Sequence, residues 1–376
     1  MSITIKEVTT QKQLKDFIRF PNKLYKNSDK YTPFTEGDEF EAFNPKTNPA
    51  LDHSEFINLL AYKDGEIVGR ISGIINRIAN EHWNVKKVRF GWFDFIDDYE
   101  VVKLLLNRVA EWGRSKGMNA LNGPVGFTDF DHQGLLIEGF EYSATMISAY
   151  NYPYYQKHIE RYGLTKEADW IENQLFLSSI IPEKIARVSE IVKKRYELRV
   201  DKVRSMKEMK QKYGLTAFDV INEAYTPLYN FQPLTKKQLE YYANKFMPML
   251  NYDFATLVIN KNDEIVGVGA AFPDLSEALR KSEGRLFPFG WYHLLKTLNA
   301  KQFDCLEMAI IAVRPDYQNK GVNSIILGDQ IPYAAKYGVK RSETTAVLES
   351  NFKNLASWDY FNINQHKRRR AYIASI

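Results

Sequence analysis

Between Val313 and Ile326 the chain reads VRPDYQNKGVNSII, a stretch whose residue types suit an anion. An apolar run, CLEMAIIAV, leads into a Pro-Asp turn, a Gly follows, and a second apolar segment begins. A strand entering a helix through such a turn leaves backbone N–H groups unpaired at the positive end of the helix. Gly321 lets that backbone approach phosphate oxygens with no Cβ in the way. Successive N–H groups from Gln318 through Asn319, Lys320, Gly321 and Val322 to Asn323 would form the nest, and Lys320 adds a charge. Because the donors are main-chain groups, Asn323 removes none of them, and Asn is favoured at helix starts. An ordinary capped turn is the alternative.

A second feature lies just upstream. Glu307 sits inside CLEMAIIAV, where a charge is costly unless used or paired. Burial would raise its pKa toward the range that suits a proton acceptor. A Glu on the open side of the strand, or one paired with Lys or Arg, would read the same. Cys305 in the same run reads as a small buried hydrophobe rather than a nucleophile.

The elements that must hold these residues occur twice. FINLLAYKDGEIVG ends at Gly69 and FATLVINKNDEIVG at Gly267, 198 residues on, and both read as a hairpin. ITIKEV pairs with LRVDKV, KYTPF with AYTPL, and Asn151 and Asn351 each open a helical stretch. These matches keep their order with offsets from 194 to 200, so the chain reads as two copies of one fold, 1–178 and 182–376. Pro182 to Tyr196 is predicted to be a helix opening the second copy. Each copy reads strand, helical region, hairpin, strand into helix, strand, helix and last strand. That is a mixed α/β sheet, in which a strand-to-helix crossing is the natural ligand position.

The loop and the element order together resemble the GCN5-related N-acetyltransferase superfamily. Its signature is Val-x-Pro, then Gln or Arg, two residues, Gly, one residue, and Gly or Ala. Here it stands as Val313, Pro315, Gln318, Gly321 and Asn323, with Asn at the last position. The resemblance implies two tandem acyl-CoA N-acyltransferase domains, with acetyl-CoA or another acyl-CoA as co-substrate and no metal. It implies that a backbone N–H near Ala312 and Val313 holds the thioester carbonyl. It implies that Glu307, six residues before the motif Val, is the base. Many members carry a Tyr seven residues after the helix-opening Asn as proton donor. Here that place holds Trp358, and Tyr360 is the nearest phenol, on a different helical face.

The first copy has no such loop. Asp97 and Asp98 stand where phosphate would arrive, so its cofactor site reads as degenerate, although carboxylates there cap the following helix well. The strand-loop Asn122 to Gly134 reads either as a lining of an acceptor cleft or as a surface loop. Four consecutive cations, Lys367 to Arg370, read as a solvated edge strand.

The 376 residues suit two domains, and 44% apolar with 26% charged is ordinary for a globular protein. A net charge of +5 suits an anionic ligand but falls short of a nucleic-acid-binding domain. One cysteine excludes an internal disulfide and a Cys-based zinc site. No secretory leader is read at the N-terminus, and no apolar run reaches the ~18 residues of a spanning helix, so a cytoplasmic protein is expected. The aromatic share, 14%, favours large apolar grooves, and the basic run Lys367 to Arg370 leaves peripheral contact with an anionic lipid membrane, RNA or CoA phosphates open. The acceptor is expected to be an amine, either a small molecule or a lipid. The activities that remain are N-acyl transfer, its long-chain or lipid-amine variant, and acyl-CoA binding without catalysis.

Overall fold

The computed structural model describes residues 2–178, 180–351, 358 and 361–376. They form two compact units that trade segments along the chain. The first comprises Met1–Ile171, Ser276–His293 and Lys367–Ile376; the second comprises Glu172–Leu275 and Leu294–His366.

In the first unit, β1 (Ile3–Glu7), β2 (Ser54–Lys63), β3 (Glu66–Asn76) and β4 (Lys87–Phe95) pair antiparallel in chain order. Then β5 (Ala120–Gly123) runs parallel to the start of β4, with Lys87 opposite Ala120. The β2–β3 turn has Asp64 and Gly65 both at positive φ, the backbone a two-residue hairpin needs. β6 (Leu135–Glu138) is short, and β7 (Thr165–Phe176) leaves the unit after Ile171. The second unit repeats the pattern. β8 (Arg199–Asp201), β9 (Ala255–Ile259), β10 (Ile265–Pro273) and β11 (Cys305–Val313) are antiparallel neighbours. β12 (Arg341–Thr344) runs parallel to β11, and β13 (Val347–Leu348) is a short final piece before β14 (Asn362–Ser375).

Each sheet is finished by a strand from the other half of the sequence. In the first unit Tyr372 of β14 lies opposite Gly123 of β5. In the second, Gln174 of β7 lies opposite Glu343 of β12. The sequence copies and the compact units therefore do not coincide at these strands.

The two EIVG segments open β3 and β10, so they occupy corresponding elements, and their glycines have one physical reason. A Cβ on Gly69 would lie 2.8 Å from Val101 Cγ1, and one on Gly267 would lie 2.9 Å from Val322 Cγ1. Both Val residues belong to the helix that follows β4 or β11, Tyr99–Ser115 or Val322–Lys336, which crosses the sheet at that spot. The first of these helices buries Val101, Val102, Leu105, Leu106 and Val109, the i, i+3, i+4 stripe of an amphipathic helix. The helix expected from Pro182 spans Glu183–Tyr196, with Pro182 as its cap residue, and packs Val192 against Val322 and Ile325. The KYTPF and AYTPL pair departs from the pattern, since Tyr31 lies in a loop and Tyr225 ends the helix Thr216–Tyr225.

The cation run is not a solvated edge. Lys367 and Arg369 are each 2% exposed. Arg368 and Arg370 point the other way, toward Asp169, at 3.3 and 2.7 Å. The edge expectation fails because the strand is paired, with Arg370 opposite Leu135 of β6 and Tyr372 opposite Gly123.

Candidate active site in the second unit

Three features of β11 build the site. The first is a change of register. Ala271 faces Met308 and Ala270 faces Ile310, so Ala309 is an extra residue that bends the strand. The second is a splay. β12 accompanies β11 only from Cys305 to Met308, and among the described residues no strand pairs with that side further along. The third is the phase of the ladder. Arg314 N–H donates to Val266 O at 2.9 Å, and antiparallel pairing alternates, so the N–H and C=O of Ile311 and Val313 face the splayed side. Ala312, by the same count, spends its backbone groups on β10. The Val313 carbonyl accepts from Gln318 Nε2 at 3.1 Å, and the Ile311 carbonyl accepts from the Tyr225 hydroxyl at 3.4 Å. Burial pushes the Tyr225 phenol up to about 12, against the opposing bond to Ile311, so at neutral pH it carries its proton.

The splayed edge runs straight into the loop. Pro315–Tyr317 makes a single 3-10 turn, Asn319 has φ +60°, and Gly321 caps the helix Val322–Lys336 at φ +83°. A side chain at Gly321 is excluded twice, by that φ and by Val192 Cγ2, which a Cβ would meet at 2.9 Å. Val322 and Asn323 occupy the first turn of the helix, whose N–H groups have no intrahelical acceptor. Lys320 lies over the rings of Tyr196 and Tyr317, at 5.1 and 4.9 Å, which holds its charge beside the nest. Arg314 is engaged elsewhere, by the Asp316 carboxylate at 2.7 and 2.9 Å and by Glu264 at 3.3 Å. Lys320 is therefore the cation of the loop that forms no ion pair among the described residues, although its charge still helps to lower the Asp316 carboxyl.

Glu307 lies at the root of the splay and is 1% exposed. Its neighbours Leu306 and Met308 pack toward the helix Val322–Lys336, against Ala334 and Leu327. The alternation of a strand therefore puts Glu307 on the opposite face. Its register partner on β12 is Glu343, also buried. Glu343 accepts from Gln174 Nε2 at 2.8 Å and lies 2.7 Å from His366 Nε2. Because a carbonyl only accepts, His366 Nδ1 donates to Glu172 O at 3.1 Å.

Sequence reasoning missed Glu343, His366 and Tyr225. SETTAVLES does show a carboxylate in a short strand, but its register against CLEMAIIAV has no local signal. Trp358 is packed in the core with Met308, Leu327 and Ile331. Tyr360 lies outside the described residues. Cys305 is buried, and burial pushes its thiol well above the usual range, so it is no nucleophile at neutral pH.

The same region of the first unit is built differently. Only Ile96, Asp97 and Asp98 separate β4 from its helix, whereas Arg314 to Gly321 separate β11 from its own. Asp98 caps the helix by accepting from Glu100 N–H at 3.0 Å, and a hydrogen bond from Lys63 holds its carboxyl below the usual range. Asp97 lies 2.6 Å from His158 Nε2. The gap beside β4 is filled by the chain itself, because Val125 N–H donates to Phe90 O at 2.8 Å and Arg89 Nη1 to Gly126 O at 3.2 Å. Asn122 to Gly134 is thus no loose surface loop; Asn122, Val125, Phe127 and Thr128 are fully buried.

Residues 217–359 match the family model described as the Acetyltransferase (GNAT) family. Over 99% of its length the chain is 26% identical to Protein YghO of Escherichia coli (strain K12), covering 95% of that protein. Over 93% of its length it is 26% identical to the bacterial ceramide synthase of Caulobacter vibrioides (strain NA1000 / CB15N), covering 91% of it. A solved tandem GNAT protein from the clavulanic acid biosynthesis pathway shares the fold, with a TM-score of 0.58 at 9% identity, over 100% of this chain and 98% of that one. No helix among the described residues is long and apolar enough to cross a membrane. The chain thus has the fold of a tandem GNAT protein, and its residues 217–359, which span the splayed strand and its loop, match the GNAT family model.

Proposed function

We propose that the protein is an acyl-CoA-dependent N-acyltransferase whose second unit binds the thioester and whose Glu307 deprotonates the acceptor amine. The observation that carries this reading is the continuity of three parts: an open strand edge, a glycine-capped helix start at its end, and a buried carboxylate at its root. In this reading the helix start and Lys320 take the pyrophosphate. The pantetheine amides lie along the Ile311 and Val313 edge as a further strand would, and the Val313 N–H holds the thioester carbonyl as negative charge develops on it.

Acyl transfer then needs a proton removed from the attacking nitrogen and one returned to the departing thiolate. Glu307 is placed for the first task. Glu343, its register partner, is the like charge it faces across the strands. Tyr225, protonated and touching the splayed edge at Ile311, serves the second task in place of a phenol on the last helix.

A second reading narrows the acceptor to a long-chain, lipid-like amine and the donor to a long acyl-CoA. It is favoured by the similarity, nearly end to end, to a protein named as a bacterial ceramide synthase. The copies 1–178 and 182–376 remain the proposed repeat, with the first supplying structure. The test is thioester consumption with acetyl-CoA and long-chain acyl-CoAs against soluble amines and long-chain amino alcohols. Consumption that depends on amine supports transfer, and its chain-length preference chooses between the readings. Tight CoA binding with no consumption for any pair would make the protein a binder and overturn the proposal.

A further inference from the structure

Residues 285–298 read RLFPFGWYHLLKTL, and this apolar segment is turned outward rather than buried. Phe287 is 79% exposed and Phe289 70%, and Trp291, Tyr292 and Leu295 on the helix Gly290–Leu298 are also exposed. Isolated exposed apolar residues are ordinary, but a contiguous aromatic set marks a contact surface.

The segment is held in this state by its own backbone. Trp291 N–H donates to Leu286 O at 2.9 Å, Tyr292 N–H to Phe289 O at 3.1 Å, and Trp291 Nε1 to Pro288 O at 3.1 Å. A Cβ on Gly290 would lie 1.7 Å from Arg285 O, so the turn closes only on glycine. The base of the turn is fastened as well, by Glu36 N–H to Gly284 O at 2.7 Å and by Asn22 Nδ2 to Glu283 O at 3.1 Å. A hydrogen-bonded scaffold thus presents two phenylalanines to water.

Charge decides what covers them. From Gly284 to Phe303 the sequence has no carboxylate, and it carries Lys296 and Lys301, while Arg285 at its edge is paired with Glu36 and Glu283 at 3.5 and 3.8 Å. Lys296 and Lys301 are exposed and form no ion pair among the described residues. Two copies meeting through this face would bring like charges together, which argues against self-association. Aromatic rings with a basic rim fit the boundary between lipid headgroups and acyl chains, where rings sit at headgroup level and cations meet anionic phosphates.

We propose that Leu286–Leu298, with Phe287 and Phe289 as the inserted pair, docks the protein on the surface of an anionic phospholipid bilayer. The docking does not depend on which amine is acylated, and its test needs no turnover. Full-length protein is sedimented with vesicles of equal parts phosphatidylcholine and phosphatidylglycerol, and with vesicles of phosphatidylcholine alone. The wild type is expected to partition to the anionic vesicles, and Phe287→Ser with Phe289→Ser to weaken that roughly tenfold or more. The thermal midpoint of this double variant should not fall, because both rings are in solvent. Lys296→Glu with Lys301→Glu should reduce partitioning to anionic vesicles while the phenylalanines remain. Three results would overturn the proposal: wild type left in the supernatant, serine variants that bind as well as wild type, or a wild-type dimer that the serine substitutions dissociate.

Discussion

Glu307 and Glu343 are direct partners in the parallel register of β11 and β12, so two buried carboxylates share one face of the sheet at the root of the splay. Like charges so placed cannot both ionise cheaply, and His366 Nε2 lies 2.7 Å from Glu343.

Glu307→Gln should therefore leave CoA affinity nearly intact and lower turnover by roughly two to four orders of magnitude, the usual worth of a positioned proton acceptor. The deficit should shrink at high pH, where the amine is already deprotonated in solution. Glu343→Gln should instead shift the acidic limb of the pH–rate profile with a smaller loss at its maximum. Steady-state rates across pH, with CoA titrations beside them, check both, and a fully active Glu307→Gln would end its assignment as the base.

Tyr225→Phe removes the phenol that meets the open edge at Ile311. Turnover should fall by roughly two orders of magnitude if it reprotonates the thiolate. A donor of better leaving ability, an acyl thiophenol for instance, should recover much of the rate, whereas a merely structural loss would not be rescued.

CoA should bind with a stoichiometry of one per chain by titration calorimetry, because Asp97 and Asp98 occupy the helix start of the first unit. Gly321→Glu should abolish that site, because a side chain strained at φ +83° and driven into Val192 and Val188 displaces the loop and adds a negative charge beside it. Gly321→Ala, strained at φ +83° and crowded by Val192 and Val188, should cost about 1–2 kcal/mol of stability and weaken binding.

Much of this was legible in the sequence. The hairpins ending at Gly69 and Gly267, the loop from Val313 to Asn323 and the strand bearing Glu307 are local patterns, and their physics is local too. What did not show was register. That Glu343 would stand opposite Glu307, or that Lys367 and Arg369 would be interior, depends on which strand lies alongside, and residues remote in sequence decide that. KRRR looked like an edge because four charges usually mean solvent, whereas here one carboxylate, Asp169, gathers two of them.

Asp169 gives the next expectation. Burial works against its ionisation, but hydrogen bonds from Arg370 and Lys166 outweigh this and hold its carboxyl below the usual range. A depressed carboxyl adds stability above its unfolded value, and that stability is lost as pH falls through the folded one. Asp169→Asn should cost about 3–5 kcal/mol at neutral pH, the usual loss on breaking a buried pair. It should also flatten the acid limb of a urea-midpoint profile below the ordinary carboxylate pKa.

Glu39 behaves in the opposite sense. Burial pushes its carboxyl up to about 7, against the attraction of Arg70 3.8 Å away and the bond from Trp92 Nε1. Between 4.5 and about 7 the native state keeps a proton that the unfolded chain has released, so stability falls as pH rises through that window. The loss should amount to at most about 3 kcal/mol. Glu39→Gln should remove that slope, which thermal midpoints at pH 5 and pH 8 would read directly.

The exchanged strands have a consequence for synthesis. A nascent chain that has emerged as far as Ile171 still has β5 without its β14 neighbour, because Lys367–Ile376 is synthesised much later. The core of that unit lacks Tyr372, which is fully buried in the finished protein. The N-terminal half must therefore wait with an open sheet edge while the other half is made, a state in which chaperone dependence is expected. Loss of Lys367–Ile376 would cripple the unit made first, not the one made last.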